Sequence, residues 1–559
     1  MDCHEAVYSN DYYDLIGGIA SLEPGLRGLC KQDIANRYAV YYLNRDHVPP
    51  LSVGTYKYIN IPKCYTVLNQ QALEVSGITR VQTQRNLELF GSGILIGFID
   101  TGIHFENNAF RNTDGSSRIA AIWDQTIDTG PHPQGFIYGT EYTREEINFA
   151  LQQENPRDYV PETDEIGHGT MLASIAAGSE DIENDFIGAA PYADIAVVKL
   201  KPAKQNLRDF YYIKDGAIAY QENDIFTAID YLNRLADRLG QPMALCIGLG
   251  TNQGHRGSGG KMTSYLDDIA AMYRRSVCIA VGDEANARHH FYGSLSENTT
   301  ERAEINVTQD MKGFIVELWG NSSELFAVSI TSPTGEVLNR VAVYNGQQQK
   351  QHFLLENTNV VVDYQLGTER SREPLVHINF QNPVKGLWMI EVFPYRISSG
   401  SFNMYLPISD FLEEEVYFVR SNPDMTLTVP SSAKIPMAVG GYNSVTNGIY
   451  IESGRGYSMD GSIKPDYAAP AVNVLAVNQF GRMESMTGTC AAVALSAGAS
   501  ALLMEWNIAY MENRFINSVE IRNQIINGTQ RVSNQLYPNR EEGYGRMDIY
   551  QSILNMRNL

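Results

Sequence analysis

Short apolar runs alternate with amphipathic stretches between about residues 90 and 300. The runs are 93–99 (GILIGFI), 195–200, 244–249 and 277–281. A short continuous apolar run predicts a strand that is buried on both faces of a sheet. Helical patterns lie between these runs, at 169–178, 223–239 and 266–274. Strands that alternate with helices predict an α/β fold with a parallel sheet and flanking helices.

The hydrophobic period changes to two after about residue 297. Segments such as 314–319 (FIVELW) and 326–330 (FAVSI) alternate apolar and polar positions, and the turn signals SPTG and NP separate segments of this kind. Several short alternating strands predict an all-β sandwich. The α/β pattern returns near residue 410 and ends in a small-residue helix around 490–506. The sandwich is therefore predicted to be an insertion in the α/β domain.

The chain divides into four segments on this basis. With 559 residues, and about 150 residues per domain as a guide, three or four units are expected. We predict an N-terminal unit at 1–70, the first part of the α/β domain at 71–297, the sandwich at 298–407 and the second α/β part at 408–559. Within the first segment, the pattern at 37–43 suits a strand.

Composition limits the kinds of molecule that the protein is expected to bind and the cellular compartment in which it is expected to act. The formal net charge is -21, which disfavours nucleic acid and anionic membrane surfaces as partners. The run 487–504 is rich in Ala, Gly, Ser and Thr, so it predicts a buried helix rather than a membrane span. No secretory signal is readable in the first residues, which leads us to expect a cytoplasmic protein.

The six cysteines show no paired spacing such as CxxC. Without an export signal we expect reduced thiols, five of which serve packing. They are Cys3, Cys30, Cys64, Cys246, Cys278 and Cys490. No metal site is predicted: the adjacent pair His289-His290 would point to opposite faces of a strand.

Three motifs carry the candidate chemistry. Asp100 ends a buried strand in IDTG, His168 opens a small-residue helix in GHGT, and Cys490 opens another helix in GTCAA. Active groups of open α/β sheets lie at such strand ends and helix starts. Amide hydrolysis needs a nucleophile, a base and a group that orients the base. Each motif alone also suits a turn, a loop or a packing residue, so the prediction depends on all three together.

The flanks of these motifs resemble the subtilase family of subtilisin-like serine proteases. IGFIDTGI, DEIGHGTMLASIAAG and MTGTCAAVALSAGASALL resemble its three signature regions, and IKPDYAAPAVNV resembles a further conserved segment. Longer stretches, including RIAAIWDQT, YGTEYTREEIN and the insert from VELWG to FQNPVKGLW, are similar to the clostridial Csp-like germination proteases. That group carries a retained N-terminal α/β prodomain and an inserted jelly roll, and the resemblance implies both here.

The resemblance also implies roles for particular residues. Asp100 would orient His168, which would act as general base for Cys490 at the family's serine position. Asp283 falls where the family has its oxyanion-binding Asn. The substrate backbone would add as a strand along a segment formed by Gly248, Leu249, Gly250 and Asn252. The partners implied are a protein or peptide substrate and the chain's own prodomain, whose tail near 65–71 would enter the site as a product-like strand.

No cofactor is expected. Calcium is common in subtilases, but no Asp/Asn-rich loop of the DxDxDG type is visible, so no calcium site is assigned. The resemblance adds a spore-associated location as an alternative to a cytoplasmic one.

Two departures from the family pattern fall in the chemistry, at Cys490 and Asp283. A thiolate is a good nucleophile, but sulfur is larger than oxygen and leaves more readily than an amine. An ionised Asp283 could not donate to an oxyanion. Three functions therefore stay open: a slow or specialised endopeptidase, a catalytically inactive pseudoprotease with a binding or regulatory role, for example in spore germination, and glycan or protein binding by the sandwich.

Overall fold

The structure is a computed structural model, and it describes most of the chain. The described residues are 3–18, 30–34, 37–67, 75–257, 259–321, 323–346, 348–366 and 373–557. Three units are recognisable in them: a small N-terminal unit, an α/β unit with a central parallel sheet, and a β-sandwich inserted into the α/β unit.

The N-terminal unit combines one short helix with an antiparallel sheet. Its elements are α1 (Cys3–Tyr8), β1 (Tyr12–Gly18), β2 (Cys30–Ile34), β3 (Tyr38–Asn44) and β4 (Cys64–Val67). The sheet order is β1-β3-β2, and every residue of β3 from Tyr38 to Leu43 is buried because both faces are covered. Strand β4 leaves this sheet and joins the α/β unit instead.

The cysteines differ from the expected set of reduced thiols. Cys30 is disulfide-bonded, whereas Cys64, Cys246, Cys278 and Cys490 are free and buried. The expectation is therefore wrong for Cys30. A disulfide needs two Cα atoms that approach within about 7 Å, and tertiary folding rather than local spacing decides that approach.

The first part of the α/β unit supplies most of the parallel sheet. Its elements are α2 (Ile78–Thr83), β5 (Leu95–Asp100), β6 (Ile119–Asp124), β7 (Thr140–Thr143), α3 (Arg144–Ala150), α4 (His168–Ala177), β8 (Asp194–Lys199), α5 (Gln205–Phe210), β9 (Tyr220–Gln221), α6 (Glu222–Leu239), β10 (Met243–Ile247), β11 (Leu249–Gly250), α7 (Lys261–Ala271) and β12 (Arg275–Ala280). All six residues of β5 are buried, as the apolar run at 93–99 predicts.

The sandwich consists of two antiparallel sheets. Its strands are β13 (His290–Ser294), β14 (Glu301–Val307), β15 (Gly313–Gly320), β16 (Leu325–Thr331), β17 (Val337–Leu338), β18 (Gln348–Phe353), β19 (Thr358–Gln365), β20 (Leu375–Gln381), β21 (Gly386–Arg396), β22 (Ser401–Tyr405) and β23 (Val416–Phe418). The sheet orders are β13-β22-β15-β20-β19-β18 and β17-β16-β21-β14-β23. Strands β13 and β23 join these sheets although they lie outside the interval 298–407.

The second part of the α/β unit completes the central sheet. Its elements are β24 (Met437–Asn443), β25 (Gly448–Ile449), β26 (Tyr467–Pro470), β27 (Val472–Val477), β28 (Met483–Thr487), α8 (Thr489–Tyr510), α9 (Ser518–Gly528) and α10 (Ile549–Arg557). The sheet order is β25-β24-β12-β10-β5-β8-β6-β7, with β26 also paired to β24, and the pairs at its centre are parallel. This arrangement confirms the predicted subtilisin-like α/β architecture.

Helix α8 passes against the middle of the sheet and contacts α4, β10 and β12. By length and composition alone it could cross a membrane, but 94% of its most apolar 18-residue window is buried inside the protein. It is therefore the core helix that the small-residue run at 487–504 predicts.

A hydrophobic cluster joins the three units. It contains Leu15 and Tyr58 from the N-terminal unit, Tyr211 from the α/β unit, and Ile315 and Trp319 from the sandwich. Because all three units contribute buried side chains to one cluster, they pack together as a single structure.

Candidate active site

Asp100 lies at the carboxyl end of the buried central strand β5. Its side chain is 1% exposed, and its Oδ1 accepts hydrogen bonds from the backbone N–H of Thr101 and from His168 Nδ1, each at 2.8 Å. This contact places the imidazole proton on Nδ1 and leaves Nε2 as the basic nitrogen.

The start of α4 fixes the position of His168. Gly167 precedes the helix with a φ of 87°, a conformation that disfavours other residues. A Cβ on Gly169 would lie 2.2 Å from the carbonyl oxygen of Gly102. The glycines on both sides of His168 therefore allow the first turn of α4 to approach the end of β5.

A second carboxylate, Asp164, supports this helix start. It accepts hydrogen bonds from Gly167 N–H and Thr101 Oγ1, and from both the N–H and the hydroxyl of Thr170, at 2.7–2.8 Å. Thr101 Oγ1 in turn accepts from Gly169 N–H. Asp164 is not among the residues predicted from the sequence, because it lies four positions before His168 and outside the N-cap position, which Gly167 occupies.

Cys490 lies in the first turn of α8, after Gly488 with a φ of 145°. Its side chain is fully buried, and the thiol donates a hydrogen bond to the carbonyl oxygen of Gly248 at 3.1 Å. A Cβ on Gly248 would contact Leu172 of α4 as well as Cys490 Sγ. The structure thus brings Asp100 and His168 into contact and places Cys490 beside Gly248, where α4 and α8 meet.

The predicted peptide-binding segment is already paired with the N-terminal unit. Strand β11 (Leu249–Gly250) pairs antiparallel with β4, with Leu249 opposite Val67 and Gly250 opposite Thr66. On its other side β4 pairs antiparallel with β9. Residues 65–67 of the predicted product-like tail thus lie between two strands of the α/β unit, and residues 68–71 lie outside the described residues.

Asn252, also predicted to contact substrate, occupies a different environment. It is buried, its Nδ2 donates to Glu284 at 3.0 Å, and its Oδ1 accepts from Arg256 at 2.7 Å. Glu284 also bonds His289 Nδ1 at 2.8 Å. The amide of Asn252 is therefore used within a buried polar network rather than at the edge of β11.

Asp283 follows β12 and reaches the start of α8. Its Oδ1 accepts a hydrogen bond from the backbone N–H of Thr489 at 3.1 Å, so it contacts the residue that precedes Cys490. Burial raises the pKa of Asp283 from its usual value to about 7, and the hydrogen bonds from Thr489 oppose that rise. The carboxyl group is thus neutral in a large fraction of molecules near neutral pH.

A cavity of about 750 Å³ opens beside His168 and Asp283. Four further carboxylates line it, from Glu284, Asp410, Glu452 and Glu484. The cavity is large enough for peptide side chains, and its negative charge favours basic ones.

Among the described residues, the one group of His, Cys, Asp and Glu side chains close enough to hold a metal ion is His4, Asp128 and His132. It contains none of the predicted triad residues.

The fold, with an Asp–His pair beside a helix start that carries a thiol, is that of the subtilisin-like class. The model of the Subtilase family matches residues 91–310 and 409–545, more than half of the chain. The chain therefore belongs to the subtilase family. Between its two matched parts, the family model leaves residues 311–408 unmatched, and this interval contains most of the sandwich.

Solved and curated relatives agree with this family. The Clostridium perfringens CspB protease is similar in structure, with a TM-score of 0.78 and 27% identity, covering 87% of this chain and 97% of that chain. Subtilisin-like protease SBT3.5 of Arabidopsis thaliana is 32% identical over 160 residues, which are 25% of this chain and 19% of that protein. C5a peptidase of Streptococcus pyogenes serotype M1 is 21% identical over 464 residues, 76% of this chain and 36% of that protein. This chain spans well under half the length of these curated relatives.

Proposed function

We propose that this subtilase is an endopeptidase that cleaves peptide bonds with Cys490 as nucleophile, His168 as general base and Asp100 as the residue that orients the base. The observation that carries the proposal is the 2.8 Å hydrogen bond between Asp100 and His168 Nδ1, beside the α8 start that holds Cys490. The same bond orients the base in serine hydrolases, where it keeps the imidazole in the required tautomer.

The proposed reaction proceeds in two steps. Cys490 Sγ bonds to the carbonyl carbon of the substrate while its proton moves to His168 Nε2, and the carbonyl oxygen becomes an oxyanion. Collapse of this intermediate breaks the C–N bond, and the leaving amine takes the proton from His168. Water then attacks the resulting thioester with His168 again as base, which releases the carboxylate and restores the thiol.

A hydrogen bond ties Cys490 to the predicted substrate-binding segment. Its thiol donates to Gly248 in the structure, so its hydrogen is directed at a backbone carbonyl of the substrate segment. Sulfur is larger than the oxygen that the family's site holds, and an error of about 1 Å in position can lower a rate about 100-fold. We therefore propose a slow or specialised enzyme.

Asp283 adds a pH requirement at the oxyanion. When protonated, its hydroxyl can donate a hydrogen bond to a developing oxyanion, whereas the ionised form repels it. Its pKa of about 7 means that the donating form is lost as the pH rises through neutrality. The proposed activity is accordingly highest on the acidic side of pH 7.

We also propose that the N-terminal unit is a prodomain and the first substrate. The antiparallel pairing of β4 with β11 is the arrangement expected for a peptide bound beside the catalytic groups. A tethered segment has a very high effective concentration, so even a weak catalyst can cut it. Strand β4 would then remain bound as a product and block other substrates.

Alkylation by a small thiol-reactive electrophile tests the nucleophile. Mass spectrometry would follow labelling of Cys490 in the natural chain and in His168→Ala between about pH 5 and 8. We expect the natural chain to react more than about tenfold faster, since a thiolate is the reactive form and His168 removes the proton. Cys64, which is buried and free, is the internal control. Equal rates in the two chains would contradict the proposal.

A second candidate, a pseudoprotease, is favoured by one observation. Asp283 accepts a hydrogen bond from Thr489 N–H instead of offering an amide donor, so the oxyanion-binding function of the family is weakened. In that case the cleft held by β4 would serve binding or regulation, and the chain would cleave neither its own N-terminal unit nor added peptides between about pH 5 and 8.

A further inference from the structure

Two histidines and an aspartate from different units meet at the surface. His4 lies in α1 of the N-terminal unit, while Asp128 and His132 lie in the connection between β6 and β7 of the α/β unit. One ligand atom from each side chain lies within 4.8 Å of the other two. We propose that these three residues bind a divalent transition-metal ion of the zinc class, which ties the N-terminal unit to the α/β unit.

Contacts within the group already hold the three side chains together. His4 Nε2 contacts Asp128 Oδ2, and His132 Nδ1 lies 3.5 Å from Asp128 Oδ1. The two imidazole rings stack with their centroids 5.3 Å apart and an interplanar angle of 26°. Tetrahedral zinc with ligand bonds of about 2.0–2.2 Å needs ligand atoms about 3.3 Å apart. The side chains must therefore rotate so that His4 and Asp128 move apart and His132 turns its Nε2 toward the same ion.

Neighbouring groups fix the orientation of the ligands. His132 Nδ1 lies 2.8 Å from the carbonyl oxygen of Gly139, and Asp128 Oδ1 accepts from the Gly139 N–H at 3.0 Å. The first contact puts the ring proton on Nδ1 and leaves the Nε2 lone pair for a cation. Backbone carbonyls and carboxylates hold metal-bound histidines in this way. Tyr8 of α1 accepts from the same Gly139 N–H at 3.0 Å, which keeps α1 beside the connection.

The chemistry of the set selects the metal. Imidazole nitrogens with one carboxylate suit Zn²⁺ and its transition-metal neighbours, whereas Ca²⁺ and Mg²⁺ require oxygen ligands. The side chains are 36%, 19% and 36% exposed for His4, Asp128 and His132, so an ion can enter and water can complete its coordination. Since the ligands come from two units, bound metal would oppose their separation.

Zinc binding to the full chain tests this site. Metal-free protein is dialysed against Zn²⁺ and analysed for bound metal in the natural chain, His132→Gln, His4→Gln, Cys490→Ala and the matched control His352→Gln. His352 is an exposed histidine of the sandwich that contacts Asn359 instead of a metal-ligating set. Cys490→Ala identifies any zinc held by the catalytic thiol.

We expect one zinc per chain in the natural protein, in Cys490→Ala and in His352→Gln. Affinity should fall more than about tenfold in His132→Gln and in His4→Gln, because loss of even a supporting partner costs 10- to 100-fold. Zinc should also slow amide exchange in α1 of the natural chain and leave that of His132→Gln unchanged. Unaltered binding in both histidine variants, loss of binding in Cys490→Ala, or no binding by the natural chain would overturn the proposal.

Discussion

At the scale of single residues, the proposed reaction needs an anionic thiol at the start of α8, where a carboxyl group also lies. Asp283 contacts the N–H of Thr489, one position before Cys490. An ionised Asp283 opposes both the thiolate and the oxyanion, and the second effect grows toward the transition state. In the proposed reaction, the protonation state of Asp283 therefore controls whether the site assists or resists catalysis.

Substituting Asp283→Asn should raise peptidase turnover at pH 7.5 by about three- to fivefold, because with a pKa of about 7 only about a quarter of the molecules carry the donating form, whereas the amide donates in all of them. The variant should also lose the decline in activity near pH 7. Adding Cys490→Ser should raise turnover further, with effects that do not simply add because both residues contact one intermediate. Turnover of a peptide library between about pH 5 and 8 measures this. A double variant as inactive as the natural chain would favour the pseudoprotease.

The same substitution should change stability with a definite sign. The folded-state pKa of Asp283 is about 7, above the ordinary value of about 3.9, so the unfolded chain ionises first. Stability is then lost progressively as the pH rises from about 4 to 7, and Asp283→Asn escapes this loss. Since the side chain is half-buried and partly screened, we expect a gain of only about 1–2 kcal/mol at pH 8 and none near pH 4. Thermal unfolding of both proteins at pH 4 and pH 8 measures this. A stability difference between Asp283→Asn and the natural chain that is the same at both pH values would contradict the account.

At the scale of helices and strands, hydrophobic periodicity predicted most elements near the site. The run at 93–99 became β5 (Leu95–Asp100), and the pattern at 223–239 became α6 (Glu222–Leu239). Period-two alternation likewise predicted β15 (Gly313–Gly320). These patterns predict strands and helices well because each element must bury one apolar face, and the spacing of its apolar residues is visible in the sequence.

Other features lie beyond local periodicity. The placement of β4 between β11 and β9 depends on a pairing of residues more than 150 positions apart, to which the short strand itself gives no signal. Three further features also depend on residues that are distant in sequence. They are the hydrogen bonds of Asn252 to Glu284 and Arg256, the disulfide at Cys30, and the contact between His4 and His132. Each of these features forms only when folding brings the two segments of the chain together.

The start of α4 offers a test at this scale. Asp164→Ala would remove the acceptor for Gly167, Thr101 and Thr170, and unsatisfied partners cost about 1–3 kcal/mol each. We expect kcat to fall about 100-fold with little change in KM, because His168 shifts while the substrate strand stays in place. Asp164→Asn, which keeps acceptor oxygen, should lose less. If kcat fell equally in Asp164→Ala and Asp164→Asn, and KM rose by the same factor, the helix start would not be what positions His168.

At the scale of the whole molecule, the N-terminal unit is held by more than strand pairing. Asp14 of β1 is buried and bonds Lys204 at 2.5 Å, with further hydrogen bonds from Gln221 and Asn223. Burial lowers the pKa of Lys204, which its pairing with Asp14 opposes. Together with the cluster shared by three units, this buried ion pair would hold the N-terminal unit in place after the proposed cleavage.

Removing one partner of that pair should loosen the N-terminal unit. Asp14→Ala leaves the Lys204 charge buried without its carboxylate, which typically costs about 3–5 kcal/mol. Amide exchange in β1 and β3 should accelerate, while the exchange of the sandwich strands stays unchanged. The double variant Asp14→Ala with Lys204→Met should recover part of the loss. If amide exchange in β1 and β3 were unchanged in Asp14→Ala, other contacts would hold the N-terminal unit in place.

Intact-mass analysis of the purified chain tests the central claim, catalysis by Cys490, most directly. The natural chain, Cys490→Ala, Cys490→Ser and His168→Ala would be expressed under identical conditions and compared. The account predicts a break after β4, near residues 68–74, in the natural chain and in Cys490→Ser, and an uncut chain of full mass in Cys490→Ala and His168→Ala. A natural chain that stays uncut, or a break that persists in Cys490→Ala, would contradict it.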